Sequence, residues 1–293
     1  MTSVLAQSDT GIIPEIPIGK WVDTAFDWLD AAIPGLWDFI VTVSEGSFDK
    51  LTELLLFPPT WVLMLIVAAI AWAARGWKLG LVTLIGFALI DGMGQWEPSM
   101  ETLALILIAA VIAVIIGIPI GIAAAQSNTI SAVVRPVLDF MQTVHPFVYL
   151  PIVIAFFGLG VPPGIVATII FATPPAVRLT ELGIRQVDAE MVEAGEAFGA
   201  NRGQILGRIQ LPLAVSSIMA GVNQVIMLSL SMVVLASLVG APGLGQVIRT
   251  ALARVDVPQG VSAGLALVII AIFLDRSTAA IGLGSKKRQG VSA

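Results

Sequence analysis

The sequence predicts an all-α protein that crosses a membrane several times. Hydrophobic residues make up 57% of the 293-residue chain, and charged residues only 12%. Two long stretches, residues 140–177 and 209–248, contain no Asp, Glu, Lys or Arg. A helix at a protein surface in water needs a polar face, and stretches of this length leave none. The composition therefore excludes a soluble protein and indicates a polytopic membrane protein.

Seven segments are apolar enough to be membrane-spanning helices. A hydrocarbon core of about 30 Å requires roughly 20 apolar helical residues. The predicted spans are residues 59–75, 79–93, 101–125, 137–158, 162–179, 213–238 and 260–276. The sequence FGLGVPPG at 157–164 predicts a tight turn, because adjacent Gly and Pro residues end helices. Pro174 and Pro175 interrupt the fifth span and predict either a hinge or a kink near its inner end.

Lysines and arginines in the short loops predict the orientation, because cytoplasmic loops carry an excess of both. With residues 193–212 in the cytoplasm, most of the cations lie on that side: Arg75, Lys78, Arg135, Arg178, Arg185, Arg202, Arg208, Lys286, Lys287 and Arg288, with Arg276 at the inner edge. Lys20, Lys50, Arg249 and Arg254 lie outside. We therefore expect the N-terminus outside and the C-terminus in the cytoplasm. No basic region precedes a short apolar core at the N-terminus, so we expect no cleavable signal peptide.

The first 58 residues differ from the rest. WVDTAFDWLD at 21–30 places apolar residues on one helical face and three aspartates on the adjoining face. This pattern predicts an amphipathic helix in the membrane interface, not a span. Residues 36–57 carry apolar side chains at the same spacing and are expected to behave likewise. We expect residues 1–58 to be an interfacial segment outside the cytoplasm and residues 286–293 to be a cytoplasmic tail.

The polar stretch between the fifth and sixth spans has the signals of two short helices. Asp188 predicts the N-cap of the first, and Gly199 lies where a left-handed residue ends a helix. Asn201 with Gln204 predicts a capping box for the second. Pro212 stands at the start of the next span, where its missing N–H costs little.

The surface of this stretch suits either of two roles. Met191, Ala194 and Phe198 share one helical face, and Glu193 and Glu196 point elsewhere. Such a surface can dock into a groove of a soluble partner that has a basic rim. It can equally be a helix pair that caps the membrane bundle.

The stretch resembles the EAA loop of permease subunits of bacterial ABC importers. That pattern is Glu-Ala-Ala, three residues, Gly, nine residues, Ile, one residue, Leu-Pro. This chain matches it with Glu193-Ala194-Gly195, Gly199, Ile209 and Leu211-Pro212, and Gly195 replaces the second Ala. A small residue remains at 195, so we expect a weaker local helix by roughly 1 kcal/mol but no loss of docking. The resemblance implies that the loop at 180–212 couples the chain to an ATPase subunit, through Glu193, Ala194, Gly195, Glu196, Phe198, Gly199, Ile209, Leu211 and Pro212.

The similarity extends over roughly residues 100–285, to permeases that import osmoprotectants such as glycine betaine and proline betaine. It implies the transmembrane domain of a type I ABC importer over residues 59–285, in a bacterial plasma membrane. Two permease copies would pair, two ATPase subunits would bind ATP and Mg²⁺, and an extracytoplasmic binding protein would deliver the solute. The chain has no Walker A pattern, so ATP hydrolysis is expected on a separate chain. We expect this chain to have no catalytic residues, no metal and no cofactor of its own.

Polar and aromatic side chains within the spans are candidates for the transport path. Asn223, Met227 and Ser231 share a face of the sixth span, and polar residues at such depth either line a path or bond to another helix. Phe147 and Tyr149, which follow the single histidine, His145, could hold a quaternary ammonium group by cation–π attraction or could simply pack.

Three further features involve charged residues near the span ends. Arg178 and Glu181, three residues apart, could pair at the inner surface, and Asp275 with Arg276 could do the same. Beyond residues 240–245 a short helix at the outer face is expected to carry Arg249 and Arg254. These two cations either lie in a solvated loop or meet an acidic surface of the binding protein.

Several alternatives remain open at this stage. The solute could be choline, carnitine, proline betaine, trimethylamine N-oxide or a sulfonium analogue, and an amino-acid ABC permease is a rival of the same kind. A secondary transporter driven by an ion gradient would need carboxylates in mid-span, whereas Asp91, Asp139 and Asp275 lie near span ends. A membrane enzyme is disfavoured, because the chain offers no triad, no metal cluster and no paired carboxylates at depth.

Overall fold

A computed structural model describes residues 32–288 together with Trp21, Thr24 and Trp28; of Pro34 and residues 281–288 it describes only the backbone. Most of the predicted interfacial helix at 21–30 and most of the predicted tail at 286–293 lie outside the described residues.

The described part of the chain is helical almost throughout. Its helices are α1 (Pro34–Leu56), α2 (Thr60–Arg75), α3 (Trp77–Gly92), α4 (Trp96–Gln126), α5 (Asn128–Thr143), α6 (Pro146–Phe157), α7 (Val161–Arg185), α8 (Ala189–Ala197), α9 (Arg202–Ile205), α10 (Leu211–Ala236), α11 (Leu244–Arg254) and α12 (Val257–Arg288). A π-helical turn, Leu206–Gln210, leads into α10, and a 3₁₀ turn, Ser237–Val239, follows it. The short helix expected beyond residues 240–245 is present as α11.

The structure has fewer full spans than the seven that the sequence predicts. Among the described residues, four helical stretches are long and apolar enough to cross a membrane: Trp96–Gln126, Val161–Arg185, Arg202–Val239 and Val257–Ala280. Two bent pairs, α1 with α2 and α5 with α6, bring the number to six if each pair is one span. The predicted spans 59–75 and 79–93 correspond to α2 and α3, each of 16 residues. At 1.5 Å per residue each is about 24 Å long, shorter than the hydrocarbon core.

The predicted span 137–158 is wrong as a continuous helix. The chain bends by 100° between α5 and α6. Val144 and His145 adopt extended backbone conformations there. His145 precedes Pro146, whose ring disfavours the helical conformation at the preceding residue. The apolar run therefore divides into an amphipathic helix and a short, strongly apolar one.

The core is built on close contacts of α7 with α4 and α10. A Cβ added at Gly117 of α4 would lie 2.6 Å from the Cβ of Ala176, and one at Gly121 would lie 2.6 Å from the Val177 carbonyl oxygen. On the other side of α7, a Cβ at Gly221 of α10 would lie 3.3 Å from the Pro175 carbonyl oxygen. Small residues allow such approach, which is how helices associate within a bilayer.

Helix α7 continues through Pro174 and Pro175 without a break. The structure therefore has no break at the two prolines, and the predicted kink stays a prediction. Both prolines are buried, and the neighbouring backbone of α10 packs closely against this turn. Packing from a neighbouring helix can hold a proline-containing helix together within a membrane.

The peripheral helices cover this core. Trp37 of α1 stacks on Phe156 of α6, with ring centroids 4.4 Å apart. Gly86 of α3 packs against Ile269 of α12, so the α2–α3 hairpin lies against the last helix. Beyond α10 the chain returns to α4, where the Leu244 amide donates to Thr102 Oγ1 at 2.8 Å.

Replacing Gly121 with Ala should disturb the α4–α7 contact, because the new methyl group would meet the backbone of α7. We expect a loss of stability of about 1–3 kcal/mol, typical of overpacking. Gly264 of α12 provides the matched control, because a methyl group added there would have no neighbouring atom within 4 Å. Thermal unfolding in detergent should show a lower melting temperature for Gly121→Ala than for Gly264→Ala. Equal melting temperatures would contradict the close contact.

Candidate functional site

The candidate site is the polar connection between α7 and α10, residues 186–210, referred to below as the helical loop. Its first helix, α8, begins after Asp188, whose Oδ1 accepts a hydrogen bond from the Glu190 amide at 3.1 Å. The predicted N-cap is confirmed. Aspartate at this position also interacts favourably with the positive end of the helix dipole.

The two helices of the loop join at Gly199. This residue has φ of 79°, a left-handed conformation that a residue with a side chain rarely adopts. The Gly199 amide donates to the Glu196 carbonyl at 2.9 Å, and the Ala200 amide donates to the Gly195 carbonyl at 3.0 Å. These bonds satisfy carbonyl groups that the end of α8 would otherwise leave free. The predicted glycine joint is confirmed.

The second helix starts with the predicted capping box. The Gln204 amide donates to Asn201 Oδ1, and the Asn201 amide donates to Gln204 Oε1, both at 2.9 Å. The sequence did not predict the π-helical turn that follows, which leads into α10 without a break. Leu211 and Pro212 lie in the first turn of α10.

The inner side of the helical loop is apolar and closes on itself. Ile205 is buried, and Ile209 is half-buried. A Cβ on Gly195 would lie 2.6 Å from Ile209 Cδ1 and 3.7 Å from Ile205 Cγ1. The glycine thus leaves space that Ile209 fills, which explains how α8 lies closely against the turn before α10.

The outer side of the helical loop carries the other predicted residues. Phe198 is 94% exposed, so its ring makes almost no packing contact within the chain. Glu193, Ala194 and Glu196 are also exposed. A fully exposed phenylalanine beside two carboxylates on a capped helix is a surface that another protein can cover.

A buried carboxylate fastens the end of α7 that bears the helical loop. Glu181 is 5% exposed. Its Oε1 accepts from Ser131 Oγ at 2.8 Å and from Arg135 Nη2 at 3.0 Å, both on α5, and lies 2.9 Å from Arg185 Nε. The proximity of two guanidinium groups and a hydroxyl compensates this carboxylate for its burial.

Arg185, the last residue of α7, reaches two further elements. Its Nη2 donates to the Ala124 carbonyl of α4 at 2.7 Å, and its Nη1 donates to Asn128 Oδ1 of α5 at 2.9 Å. Arg135, Glu181 and Arg185, which line a cleft of about 360 Å³, therefore tie α4, α5 and α7 together beside the helical loop. Sequence reasoning missed this cluster: the contacts of α7 with α4 and α5 join residues 46 to 61 positions apart, and the signal that was available, Glu181 and Arg185 four residues apart on one helix, was not used.

The predicted pair of Arg178 with Glu181 is wrong. Arg178 pairs with Asp139 of α5, where both side chains are exposed. The Glu181 carboxylate accepts hydrogen bonds from Ser131 and Arg135 instead. The three-residue spacing alone had suggested Arg178 as its partner. The predicted pair of Asp275 and Arg276 is present, with 3.7 Å between Asp275 Oδ2 and Arg276 Nε. Asp275 also accepts a hydrogen bond from Asn223.

The three path candidates on α10 occupy different environments. Asn223 Nδ2 donates to Asp275 Oδ1 at 3.0 Å, and Asn223 Oδ1 accepts from Thr278 Oγ1 at 2.7 Å, so Asn223 bonds to α12. Met227 and Ser231 are exposed on the outside of the subunit, and Ser231 Oγ donates to the Met227 carbonyl at 3.1 Å. Gln224 is exposed beside them.

The aromatic candidates differ in the same way. Phe147 is half-exposed, and its ring stacks on His145 with centroids 5.5 Å apart. His145 Nδ1 also accepts from the Phe147 amide at 3.3 Å, so the histidine caps α6. Tyr149 is buried, and its hydroxyl donates to the Met141 carbonyl at 2.8 Å. Tyr149 thus holds the bend between α5 and α6.

Metal ligation has no support in the part of the chain that the structure describes. No three His, Asp or Glu side chains of these residues are grouped so as to hold a metal ion.

Comparison with known proteins gives consistent matches over most of the chain. A family described as binding-protein-dependent transport system inner membrane component matches residues 117–282. The glycine betaine transport system permease protein OpuAB of Bacillus subtilis is 46% identical over 276 residues, covering 94% of this chain and 98% of that protein. The glycine betaine/proline betaine transport system permease protein ProW of Escherichia coli is 42% identical over 273 residues, covering 93% and 77%.

A solved structure has the same fold. An inward-facing conformation of the MetNI methionine ABC transporter aligns with a TM-score of 0.58 over 65% of this chain and 95% of that chain. The sequence identity is 20%. The predicted type I ABC importer fold is therefore confirmed.

Replacing Glu181 with Ala should destabilise the protein more than replacing Asp139 with Ala. The first change leaves the buried Ser131 hydroxyl and two guanidinium groups without their shared acceptor, at a cost of about 2 kcal/mol. The second removes an exposed ion pair, which contributes under about 1 kcal/mol. Thermal unfolding followed by tryptophan fluorescence should give the lower melting temperature for Glu181→Ala. A larger effect of Asp139→Ala would contradict the role assigned to Glu181.

Proposed function

The chain belongs to the family of binding-protein-dependent transport system inner membrane components, and from that membership we propose that it is the permease subunit of an ATP-driven importer for glycine betaine or a related quaternary ammonium compatible solute. The assignment of the solute rests on the similarity of this chain to permeases named for glycine betaine, at 42–46% identity over nearly the whole chain. The relative GbuB of Listeria monocytogenes is named for carnitine as well, so the proposed solute class includes carnitine.

We further propose that the helical loop is the site at which a separate ATPase subunit docks. The residues assigned to this contact are Glu193, Ala194, Gly195, Glu196, Phe198, Gly199, Ile209, Leu211 and Pro212. The full exposure of Phe198 supports a partner that covers it. Three of these residues have a structural part in the contact, because they hold α8 against the turn before α10 and so orient Phe198: Gly195, Gly199 and Ile209.

The polar contacts at the end of α7 would transmit a movement of the ATPase subunit to the membrane helices. Arg185 and Glu181 connect the end of α7 to α4 and α5. A displacement of α8 therefore pulls on three helices at once, instead of on a free loop. In this mechanism the ATPase dimer, which binds ATP and Mg²⁺, closes and draws two copies of the helical loop together, and the paired permeases open outward.

The orientation follows from the same assignment. The helical loop and the Arg135–Glu181–Arg185 cluster lie in the cytoplasm, and the C-terminus lies there too. The N-terminus and α11, with Arg249 and Arg254, lie outside, where a solute-binding protein would dock.

The path for the solute is assigned to a surface between two permease copies. The exposed face of α10 that carries Met227 and Ser231, together with Phe147, is its proposed lining. Asn223 and Tyr149 support this lining from behind, through their hydrogen bonds to Asp275 and the Met141 carbonyl.

Changing Phe198 to Ala should weaken binding of the ATPase subunit. Loss of a buried phenylalanine contact costs about 2 kcal/mol or more in binding free energy, a decrease in affinity of roughly thirtyfold. Phe57, which is 85% exposed at the junction of α1 and α2, gives the matched control, Phe57→Ala. The measurement is the amount of ATPase that co-purifies with each variant from the same membranes.

Equal retention of the ATPase by both phenylalanine variants would contradict the docking role of the helical loop. The loop would then be a cap on the membrane bundle. Size-exclusion chromatography of each permease variant confirms that a loss of ATPase does not come from unfolding.

Reconstituted vesicles that contain the permease, its ATPase and its binding protein should accumulate labelled glycine betaine only when ATP is present. Other quaternary ammonium solutes, carnitine and proline betaine, should compete, and methionine should not, because it lacks the quaternary ammonium group that aromatic surfaces attract. Uptake of an amino acid in place of glycine betaine would contradict the proposed identity of the solute. Uptake driven by an ion gradient without ATP would overturn the transport mechanism.

A further inference from the structure

The hairpin of α2 and α3 contains an apolar groove that the transport mechanism does not use. Its volume is about 460 Å³, and its lining consists of aliphatic, glycine and tryptophan residues: Leu65, Ala68, Ala69, Trp72, Trp77, Gly80, Leu81 and Leu84. Apart from the tryptophan indole N–H groups, this lining offers no polar side-chain atom. Such a cavity is poorly suited to hold ordered water.

The groove faces away from the protein. On α2 the buried residues are Leu63, Val67 and Ala71, which form the face toward the bundle. Helix α3 turns Gly86 toward Ile269 of α12. Leu65 and Ala69 lie on the exposed side. The groove therefore opens toward the lipid.

Small residues shape the groove. A Cβ on Gly80 would lie 3.0 Å from Trp72 Cβ and 3.1 Å from the Ala68 carbonyl oxygen, so the two helices touch at this level. Ala68 and Ala69 leave the space beside that contact unfilled, and Leu65, Leu81 and Leu84 form its walls. An acyl chain lying along the hairpin is the group that a bilayer offers to such a space.

Two cations stand at one end of the same groove. Arg75 ends α2, Lys78 lies in the first turn of α3, and the single residue Gly76 separates the helices. Both side chains are exposed, and the ion pairs found among the described residues involve other cations. Trp72 and Trp77 flank them and are more than 60% exposed, and tryptophan is enriched at membrane–water interfaces.

The lengths of the two helices bring lipid headgroups toward these cations. Helices of about 24 Å are shorter than a hydrocarbon core of about 30 Å, and a bilayer thins around short spans. Where the bilayer thins around this hairpin, its phosphate layer would approach Arg75 and Lys78 at the turn. Basic pockets between membrane helices on the cytoplasmic side are typical sites for anionic headgroups.

We propose that the α2–α3 hairpin is a binding site for one anionic phospholipid, whose acyl chain lies in the groove and whose phosphate is held by Arg75 and Lys78. The site does not depend on the identity of the transported solute. Its occupant is a lipid and not a soluble phosphate, because Trp72 and Trp77 of the apolar lining lie within three residues of the cations in the chain, and a soluble phosphate would leave the apolar groove empty.

The test measures lipid binding to the full chain in detergent by native mass spectrometry, with phosphatidylglycerol and phosphatidylcholine of identical acyl chains. The wild-type protein should bind phosphatidylglycerol more tightly. Arg75→Gln combined with Lys78→Gln should weaken phosphatidylglycerol binding by roughly tenfold or more, because each basic residue near the headgroups attracts an anionic lipid. Arg249→Gln with Arg254→Gln, which removes the same charge from α11, should leave this binding unchanged.

A second pair of variants tests the groove itself. Ala69→Trp fills the groove from an exposed position, and it should weaken phosphatidylglycerol binding by roughly tenfold, since acyl methylene groups lose their burial. Val82→Trp places the same side chain at an exposed position of α3 outside the groove and should have no effect.

Three outcomes would overturn the proposal. Equal binding of the two lipids, or an unchanged preference after removal of Arg75 and Lys78, would eliminate the headgroup contact. Unchanged lipid binding by the Ala69→Trp variant would contradict the placement of the acyl chain in the groove. Displacement of the lipid by inorganic phosphate at a similar concentration would identify a soluble anion as the ligand. None of these measurements involves transport, so their result is independent of the proposed function.

Discussion

The close contact of α4 with α7 is the interaction on which the rest of the structure depends. Gly117 and Gly121 bring the two helices together, with no room for a methyl group at either position. Hydrophobic burial cannot drive this association, since lipid chains are as apolar as leucine. The close fit of the two helix surfaces, and not hydrophobic burial, therefore determines where α7 packs against α4. Helix α10 then packs on the other side of α7 through Gly183 and Gly221.

Because α7 is held along its length, its C-terminal end can transmit a displacement to the helices around it. The Glu181 carboxylate and the Arg185 guanidinium group extend the contact from the apolar core to the polar surface, and they connect to α4 and α5. The helical loop starts directly after Arg185. Packing, ion pairing and the proposed docking surface thus form one continuous series along a single helix.

Local features of the sequence were sufficient to predict the helical loop. The caps at Asp188 and Asn201 and the joint at Gly199 depend on residues at most five positions apart, and the structure has all three. Features that depend on distant residues were not predictable in this way. The fourth span was expected to be continuous because apolar content does not report the backbone restriction that Pro146 places on His145. The partner predicted for Glu181 was wrong because Ser131 and Arg135 are 46 to 50 residues away in sequence.

The caps of the helical loop have a thermodynamic consequence for association. A flexible loop loses conformational entropy when a partner orders it, and this loss reduces the binding affinity. In this chain the Asp188 cap, the Gly199 joint and the Asn201–Gln204 box hold the backbone around Phe198 before any partner arrives. The ordering is completed during folding of the subunit itself. The proposed docking would then need little rearrangement on this side, so that less of the contact free energy is lost to ordering the loop.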